Sequence, residues 1–297
     1  GRRGGGGGPQ HPATGEAACV IALIGLGLIG ASLGLAWRRA GAADRIMGID
    51  PDPRAREAAV ALGAVDEATP ELLGAAGADV VVLAAPPAAV LALAEPLAEV
   101  VKPGTVVTDV CSVKVPIVKR YEAALGSRAG FVGGHPMAGK VASGAYGADA
   151  GLFADRPWIL TPTRTTDPGA LSGVEAMARA AGARVEHLSP EDHDRRVARA
   201  SHLPQVVATA LMLSVDQPDL GRVAGPGLWD TTRLAGSPGA LWAEILTLNA
   251  EAVLAAAGAF RQALESLLDA VGRGDAAAVL RLIESGAAAR RRLEEGP

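Results

Sequence analysis

One histidine, His135, lies in a run of small residues that reads GGHPMAG from 133 to 139. Glycine and alanine add little to a hydrophobic core, so a titratable ring among them is better suited to chemistry than to packing. The unperturbed pKa of an imidazole, about 6.5, lets it accept or donate a proton near neutral pH. The run also closes a strand-like stretch, GFVGGH (130–135), and parallel sheets bind their ligands at the carboxyl ends of strands. We therefore predict that His135 lies at the ligand-binding edge of the sheet rather than in the core.

A glycine pattern near the start of the chain is typical of dinucleotide binding. It follows the strand-like run CVIALI (19–24), opens a helix-like run, and consists of Gly25, Leu26, Gly27, Leu28, Ile29 and Gly30. The first glycine permits a tight turn, the second lets a pyrophosphate approach the backbone, and the third lets the helix pack on the strand. Asp50 ends the next strand, where a carboxylate binds ribose hydroxyls and repels a 2′-phosphate. The pattern predicts an NAD site, although a glycine turn that binds nothing would share this spacing.

Two further strand ends carry candidate site residues. Ala85 and Pro86 close the run ADVVVLAAP (78–86), and Ser112 lies in DVCSVK (109–114), just after the next strand. Because the carboxyl ends of parallel strands meet at one edge of the sheet, we predict that these residues border the cofactor. The two cysteines have no metal-like spacing, so no metal site is predicted.

An alternation of strands and helices is needed to position these residues. Apolar runs typical of buried strands span 19–24, 45–50, 78–86, 105–110, 130–135, 157–162 and 183–188, and helical patterns between them span 28–40, 53–62, 88–101, 113–125 and 168–182. The alternation predicts an α/β fold with an N-terminal Rossmann-type sheet, doubly wound and mainly parallel. From about residue 190 only helical periodicity remains, over 189–213, 239–271 and 275–293. We therefore predict a flexible tail (1–16), a dinucleotide-binding domain (17–188) and an all-helical substrate and dimerisation domain (189–297).

Composition excludes several classes of protein. A net charge of −4 gives no electrostatic reason to expect nucleic acid as a partner, and 49% hydrophobic residues predict a folded core. Residues 18–37 are uncharged and long enough to span a bilayer, but their glycine spacing favours a strand, a turn and a helix, so no membrane span is predicted. The few cysteines and the lack of an apolar signal segment in the N-terminal tail predict a cytoplasmic protein.

Five motifs together resemble the prephenate/arogenate dehydrogenase family of tyrosine biosynthesis. They are GLGLIGASL (25–33), DVCSVK (109–114), GGHPMAG (133–139), SHLPQ (201–205) and DTTRLAGS (230–237), and they occur in the family's order. The resemblance implies a Rossmann-type domain and a helical domain that forms a homodimer, with the active site in the cleft between the domains. It also implies NAD-dependent oxidative decarboxylation of prephenate to 4-hydroxyphenylpyruvate, with arogenate as the alternative substrate.

The resemblance assigns roles to individual residues. His135 matches the catalytic histidine that accepts a hydrogen bond from the ring 4-hydroxyl, and Ser112 matches a serine that contacts the same hydroxyl. Arg233 matches the arginine that binds the substrate carboxylate, and His202 matches a histidine near the substrate side chain. Asp230 lies one helical turn before Arg233 and is predicted to orient it. Structural alternatives stay open: Ser112 or Asp230 as helix caps, and His202 as a buried hydrogen-bonding group.

The chain departs from the family pattern just after Gly139. Many members have an acidic residue where Val141 stands and a threonine where Lys140 stands. Val141 cannot join an ionic network with the substrate arginine. Lys140 is predicted to supply a cation that favours a dicarboxylate over a zwitterion, with a solvent-facing lysine as the alternative.

Other functions compete with this assignment. An amino-deoxyprephenate dehydrogenase is a close variant, since it acts on the same ring skeleton. A 3-hydroxyacid dehydrogenase shares the two-domain layout but needs a catalytic lysine that enters the helical domain, and all four lysines lie at or before position 140. A non-enzymatic NAD-sensing regulator would have no use for His135, Ser112, His202 and Arg233 together.

Overall fold

The computed structural model of the 297-residue chain describes residues 19–139, 144–217 and 219–295. The chain divides into two compact units. The first holds the residues up to Cys111 together with Val118–His187, and the second holds Ser112–Ile117 together with the residues from Leu188 onward. A six-residue segment from the middle of the chain thus belongs to the second unit.

The first unit is built on one eight-stranded sheet in its described part. Its strands are β1 (Val20–Ile24), β2 (Arg45–Ile49), β3 (Glu67–Thr69), β4 (Val80–Leu83), β5 (Val106–Asp109), β6 (Gly130–Pro136), β7 (Pro157–Thr161) and β8 (Arg184–His187). The spatial order is β3-β2-β1-β4-β5-β6-β7-β8, and every neighbouring pair is parallel except β6 and β7. Strands β1 to β3 are added toward one edge of the sheet, and from β4 onward strands are added toward the other edge. The boundary between β1 and β4 is therefore the switch point where doubly wound sheets bind ligands. The mainly parallel, doubly wound sheet is confirmed.

Helices cover this sheet and connect its strands. They are α1 (Leu28–Ala40), α2 (Pro53–Ala61), α3 (Pro87–Ala92), α4 (Ala94–Val100), α5 (Val115–Leu125, which begins in the second unit) and α6 (Pro168–Ala180). The core lies between the strands and the helices: Leu23, Leu33 and Trp37 are almost completely buried, and the Trp37 indole donates to the Met177 carbonyl at 2.9 Å. Apolar strands buried on both faces explain why their runs are continuous rather than alternating.

Two local features of the first unit differ from the predicted elements. The helix predicted over 88–101 is broken after Leu93, because Pro96 in the first turn of α4 has no N–H to continue the preceding helix. The short edge strand β3 was not predicted, since three residues carry too little pattern to recognise.

The apolar stretch 18–37 contributes β1 and most of α1. Among the described residues, no helix taken alone has the length and apolarity to cross a membrane, and one bent pair meets that test only when both of its helices are counted together.

The described part of the second unit contains helices joined by turns and loops and no strand, as predicted. Its helices are α7 (Pro190–Val197), α8 (Leu203–Val215), α9 (Pro226–Thr232), α10 (Gly239–Leu248), α11 (Ala250–Gly272) and α12 (Ala276–Glu295), and a π-helical turn, Ala198–His202, joins α7 to α8. The helix predicted over 239–271 is bent by 92° where α10 meets α11. The residue at the bend is Asn249, whose backbone (φ −111°, ψ 29°) leaves the helical region.

Apolar side chains remain exposed along α11 and α12. They include Phe260, Leu264, Leu268, Leu280 and Ile283, each at least 40% exposed. Phe260, Leu264 and Leu268 follow one another at intervals of four residues and therefore share one face of α11. A contiguous exposed apolar face of this kind is typical of a subunit interface.

Candidate active site

The glycine turn joins β1 to α1 and has no room for side chains at two of its three glycines. A Cβ on Gly25 would lie 2.6 Å from the Ala84 backbone, and Gly25 also has φ +94°, where other residues are strained. A Cβ on Gly30 would lie 1.9 Å from the Gly25 carbonyl oxygen. Gly27, by contrast, faces open space. The first and third glycines thus serve the packing, and the second leaves the backbone open to a ligand.

The start of α1 suits an anionic ligand. No side chain caps this helix end, so the N–H groups of its first turn, which include those of Leu28 and Ile29, have no capping side chain as a partner. The helix dipole places partial positive charge at the same end. A pyrophosphate that approaches Gly27 would meet both the N–H groups of this first turn and the partial positive charge of the helix dipole.

The Asp50 carboxylate stands where β2 ends and is tied to the glycine turn. It accepts the Leu26 amide proton at 2.8 Å and the Asp52 amide proton at 2.8 Å. The Gly25 amide donates to the Ile49 carbonyl at 2.8 Å. These bonds fix the side chain beside the turn, and each carboxylate oxygen retains acceptor capacity for a ribose hydroxyl. The geometry fits a dinucleotide.

His135 is the sixth residue of β6 and is 8% exposed. The preceding residue, Gly134, donates its amide proton to the Asp109 carboxylate at 3.2 Å, and Asp109 also accepts from the Cys111 amide at 2.9 Å. A Cβ on Gly134 would lie 2.7 Å from the Asp109 carbonyl oxygen, so only glycine permits this approach of β6 to β5. Asp109, fully buried, therefore fixes the backbone on which His135 is mounted.

The other predicted residues of the first unit lie at strand ends. Ala85 and Pro86 occupy the short connection between β4 and α3, and the Ala84 amide donates to the Ile24 carbonyl at 2.6 Å. This bond keeps the connection next to the glycine turn. Lys140 and Val141 lie outside the described residues.

Ser112 belongs to the second unit, in the segment that leads into α5. The amides of Lys114 and Val115, at the start of that helix, donate to the two oxygens of the Asp194 carboxylate at 2.8 and 2.9 Å. Asp194 is buried and also bonds Nδ1 of the neighbouring His193 at 2.7 Å. A carboxylate from 80 residues further along the chain therefore holds the segment that carries Ser112.

His202 ends the π-helical turn and is 1% exposed. Its Nδ1 lies 3.2 Å from Nδ2 of Asn249, and the same Asn249 nitrogen donates to the Asp194 backbone carbonyl at 2.9 Å. Burial lowers the pKa of His202 to about 4, the Asp194 charge opposes this shift and His193 adds to it. The ring is therefore neutral at physiological pH. Its Nε2 is buried and has no hydrogen-bond partner among the described residues.

Gln205 connects His202 to the segment that carries Arg233. It lies in the first turn of α8, three residues after His202, and its Nε2 donates to the Leu234 carbonyl at 2.9 Å. Its Oε1 is buried without a partner among the described residues. Arg233 begins the short 3-10 turn Arg233–Gly236, and its side chain is exposed. Asp230 lies inside α9, so it is no helix cap, and no ion pair joins it to Arg233 in the described chain.

Four positioning residues were not among the predicted site residues. Asp109, Asp194, Gln205 and Asn249 are all buried polar side chains whose partners lie 25 or more residues away, apart from the local bonds that some of them also make. Spacing along the chain does not reveal such contacts. One signal was present, however: Asn249 is the single asparagine of the chain.

The parallel sheet with its switch point, the open glycine turn and the carboxylate at the end of β2 define the class as dinucleotide-binding proteins. The sequence model of the prephenate dehydrogenase nucleotide-binding domain matches residues 33–187, and that of the prephenate dehydrogenase dimerization domain matches residues 189–285. The chain therefore belongs to the prephenate dehydrogenase family.

Individual relatives are similar over most of the chain. Prephenate dehydrogenase of Bacillus subtilis is 36% identical over 241 residues, which cover 79% of this chain and 65% of that protein's length. The crystal structure of A. aeolicus prephenate dehydrogenase with hydroxyphenyl propionate and NAD+ has a TM-score of 0.88 at 32% identity, and the match covers 94% of this chain and 99% of that one. Synechocystis arogenate dehydrogenase has a TM-score of 0.79 at 33% identity, with 92% and 99% covered.

Proposed function

We propose that this protein catalyses the NAD-dependent oxidative decarboxylation of prephenate to 4-hydroxyphenylpyruvate. The observation that carries the proposal is the buried His135 at the end of β6, in the same unit as the open glycine turn. Family membership supports it, as do the NAD+ and hydroxyphenyl propionate named in the A. aeolicus structure.

The reaction needs one proton acceptor from the protein. Bound NAD accepts the hydride from the ring carbon that carries the 4-hydroxyl, and the ring becomes aromatic as its carboxylate leaves as CO2. His135 accepts the hydrogen bond, and then the proton, of the 4-hydroxyl as that oxygen becomes a carbonyl. The electron pair of the bond to the departing CO2 then passes through the ring to this oxygen, which takes a proton back and becomes the phenol hydroxyl. A neutral imidazole suits this role near neutral pH. In our proposal Ser112 contacts the same hydroxyl.

The substrate's carboxylates require cations and donors. Arg233 presents an exposed guanidinium, which binds a carboxylate with two parallel hydrogen bonds. His202 supplies a buried N–H donor for the side chain of the substrate, and Lys140 supplies a second cation. Asp230, exposed on α9, is proposed to influence Arg233 through its charge, since no ion pair joins the two in the described chain.

An assay of NADH formation tests the proposed function. Prephenate and arogenate are each supplied with NAD and with NADP, and the specificity constants of the four combinations are compared. We expect turnover of prephenate with NAD, and a preference for NAD over NADP of about tenfold or more because the Asp50 carboxylate repels a 2′-phosphate. An enzyme that is inactive with both substrates would overturn the proposal.

Arogenate is the second candidate substrate. The Synechocystis arogenate dehydrogenase is as similar in sequence as the A. aeolicus prephenate dehydrogenase. In addition, the buried Oε1 of Gln205 is an acceptor without a partner among the described residues. An acceptor suits the ammonium group of arogenate, whereas the keto acid side chain of prephenate offers no donor. The comparison of NADH formation from prephenate and from arogenate separates the two substrates directly.

We further propose that the protein is a cytoplasmic homodimer that assembles through its helical unit. The exposed apolar face of α11 and α12 supports the dimer, and so does the match to a dimerization domain. A domain boundary at about residue 188 is supported by the division into two units and by the ends of the two family matches. Cys19 and Cys111 form no disulfide, which fits a reducing compartment.

A further inference from the structure

We infer that Asn249 is a positioning residue that holds His202 in the tautomer with its proton on Nε2, and so presents a buried N–H donor to the substrate. The inference rests on the proposed function, because it concerns the residue that we place at the substrate side chain. It adds a residue, a tautomer and a hydrogen-bond polarity to that site.

The polarity follows from the contacts of the Asn249 amide. Its nitrogen lies 2.9 Å from the Asp194 carbonyl oxygen and 3.2 Å from Nδ1 of His202. An amide nitrogen carries two protons and accepts nothing, so both contacts are donations. Rotation of the amide would set its oxygen against the Asp194 carbonyl, two acceptors face to face. The orientation is therefore fixed, Nδ1 of His202 accepts, and the ring proton resides on Nε2.

The surroundings keep this ring neutral. His202 and Asn249 are both buried, and the indole of Trp242 on α10 meets the imidazole edge to face at 6.0 Å between ring centroids. The charged and titratable groups that act on the ring are Asp194 and His193, both on α7; burial, to which His193 adds, outweighs the opposing charge of Asp194. A neutral ring with an occupied Nδ1 has one remaining group, the Nε2–H donor.

That donor is unusual because it is buried without a partner among the described residues. Buried donors are almost always satisfied, since a lost hydrogen bond to water is costly. The donor also lies in a π-helical turn, a conformation that recurs at functional sites. An acceptor supplied by the substrate, a carboxylate or keto oxygen, would satisfy it.

The hydrogen bonds to Asp194 extend this arrangement to the segment of Ser112. The Asp194 carbonyl binds Asn249, while its carboxylate binds the amides of Lys114 and Val115. One buried residue of α7 therefore holds both the histidine assigned to the substrate side chain and the segment of the serine assigned to the ring hydroxyl.

The first test is made on the unaltered protein. Imidazole 15N and 1H resonances of the five histidines are recorded by NMR from pH 5 to pH 8, and His202 is assigned by its loss in His202→Asn. We expect a neutral His202 with its proton on Nε2 over this whole range. A proton on Nδ1, or titration near pH 6.5, would overturn the inference.

The second test changes the amide. In Asn249→Asp a carboxylate accepts where the amide donated, so the His202 proton moves to Nδ1 and the pKa of the ring rises into the NMR range. We expect the KM for prephenate to rise about tenfold or more, as for the loss of one good hydrogen bond, with the KM for NAD within about twofold. In Asn249→Ala the hydrogen bond to Nδ1 of His202 is lost, and we expect both tautomers of the ring. The control is Gln217→Glu, the same amide-to-acid change at an exposed position, which should leave both constants unchanged.

The outcomes separate the inference from the proposed function. If both variants fail to fold, the NMR measurement on the unaltered protein still decides the tautomer. If His202 carries its proton on Nε2 but His202→Asn has an unchanged KM for prephenate, the inference that Asn249 sets the tautomer is upheld. In that case the role assigned to His202 in substrate binding is wrong. If the variants at position 249 leave both the tautomer and the KM unchanged, Asn249 has no positioning role.

Discussion

The buried carboxylate of Asp109 shows how strongly single side chains constrain this site. It accepts the amide proton of Gly134, the residue just before His135, and thereby fixes the end of β6 against β5. Catalytic groups need to be held within fractions of an ångström, and such a support is more precise than a loop. His135 is therefore expected to act through chemistry rather than through folding stability.

Replacement of His135 by asparagine separates these two contributions. His135→Asn should lower kcat by about 10²–10⁴-fold, because the variant lacks a general base for the 4-hydroxyl proton. The Kd for NAD should change by less than about twofold, since the glycine turn and Asp50 are untouched. Stopped-flow NADH formation and calorimetric NAD titration measure the two quantities. The matched control is the exposed His187→Asn, and a kcat equal in the two variants would refute the assignment.

The depressed pKa of His202 also predicts how stability depends on pH. Burial lowers this pKa to about 4, so the unfolded chain, with a histidine pKa of about 6.5, binds the proton more readily than the folded one. The free energy of unfolding should therefore fall as the pH falls from 6.5 to 4, by about 2 kcal/mol at pH 5 relative to pH 7 from this residue. Urea unfolding at the two pH values measures it. His202→Gln should show a smaller difference between the two pH values, and an identical difference would rule out His202 as the source of the pH dependence.

At the scale of elements, the glycine turn separates what packing needs from what a ligand needs. Gly30 lies against the Gly25 carbonyl, whereas Gly27 faces open space. The two glycines lie only three residues apart, but their substitution should have different consequences.

Gly27→Ala should fold normally and bind NAD poorly. Its Cβ meets no protein atom, so the melting temperature should change by no more than about 2 °C, while the Kd for NAD should rise about tenfold or more because the methyl group occupies the path of the pyrophosphate. Gly30→Ala should instead lower the melting temperature, since the carbonyl it meets belongs to the backbone. Thermal unfolding and NAD titration of both variants, with Gly173→Ala on α6 as the control, test this. Unimpaired NAD binding in Gly27→Ala would show that the cofactor does not approach there.

Local elements could be predicted from the sequence, whereas polar contacts between distant residues of the site could not. Apart from β3, the strands of the first unit are short apolar runs bounded by turns, and the glycine pattern requires one local geometry, so both could be predicted. The break at Asn249 could not, because the helical periodicity continues through it and the amide's partners, Asp194 and His202, lie 55 and 47 residues away. Helical periodicity reports which face is buried and carries no information about polar contacts with distant residues.

For the whole molecule, the exposed apolar face of the second unit predicts its assembly. Phe260, Leu264 and Leu268 present one face of α11 to solvent in the single chain. A doubly charged variant, Leu264→Glu with Leu268→Glu, should convert a dimer to a monomer, because two carboxylates cannot be buried unpaired at an interface. Sedimentation velocity measures the mass. Gln262→Glu, on another face of the same helix, should remain dimeric, and a dimeric double variant would place the interface elsewhere.

The segment Ser112–Ile117 has a consequence for anyone who wishes to divide this protein. The backbone passes between the two units three times, after Cys111, Ile117 and His187, so no single cut separates them. A fragment that starts at Ser189 keeps the Asp194 carboxylate but loses the amides of Lys114 and Val115 that bind it. Transplanting the helical unit into a chimaeric enzyme therefore requires those six residues to travel with it, either joined by a new linker or added as a complementing peptide.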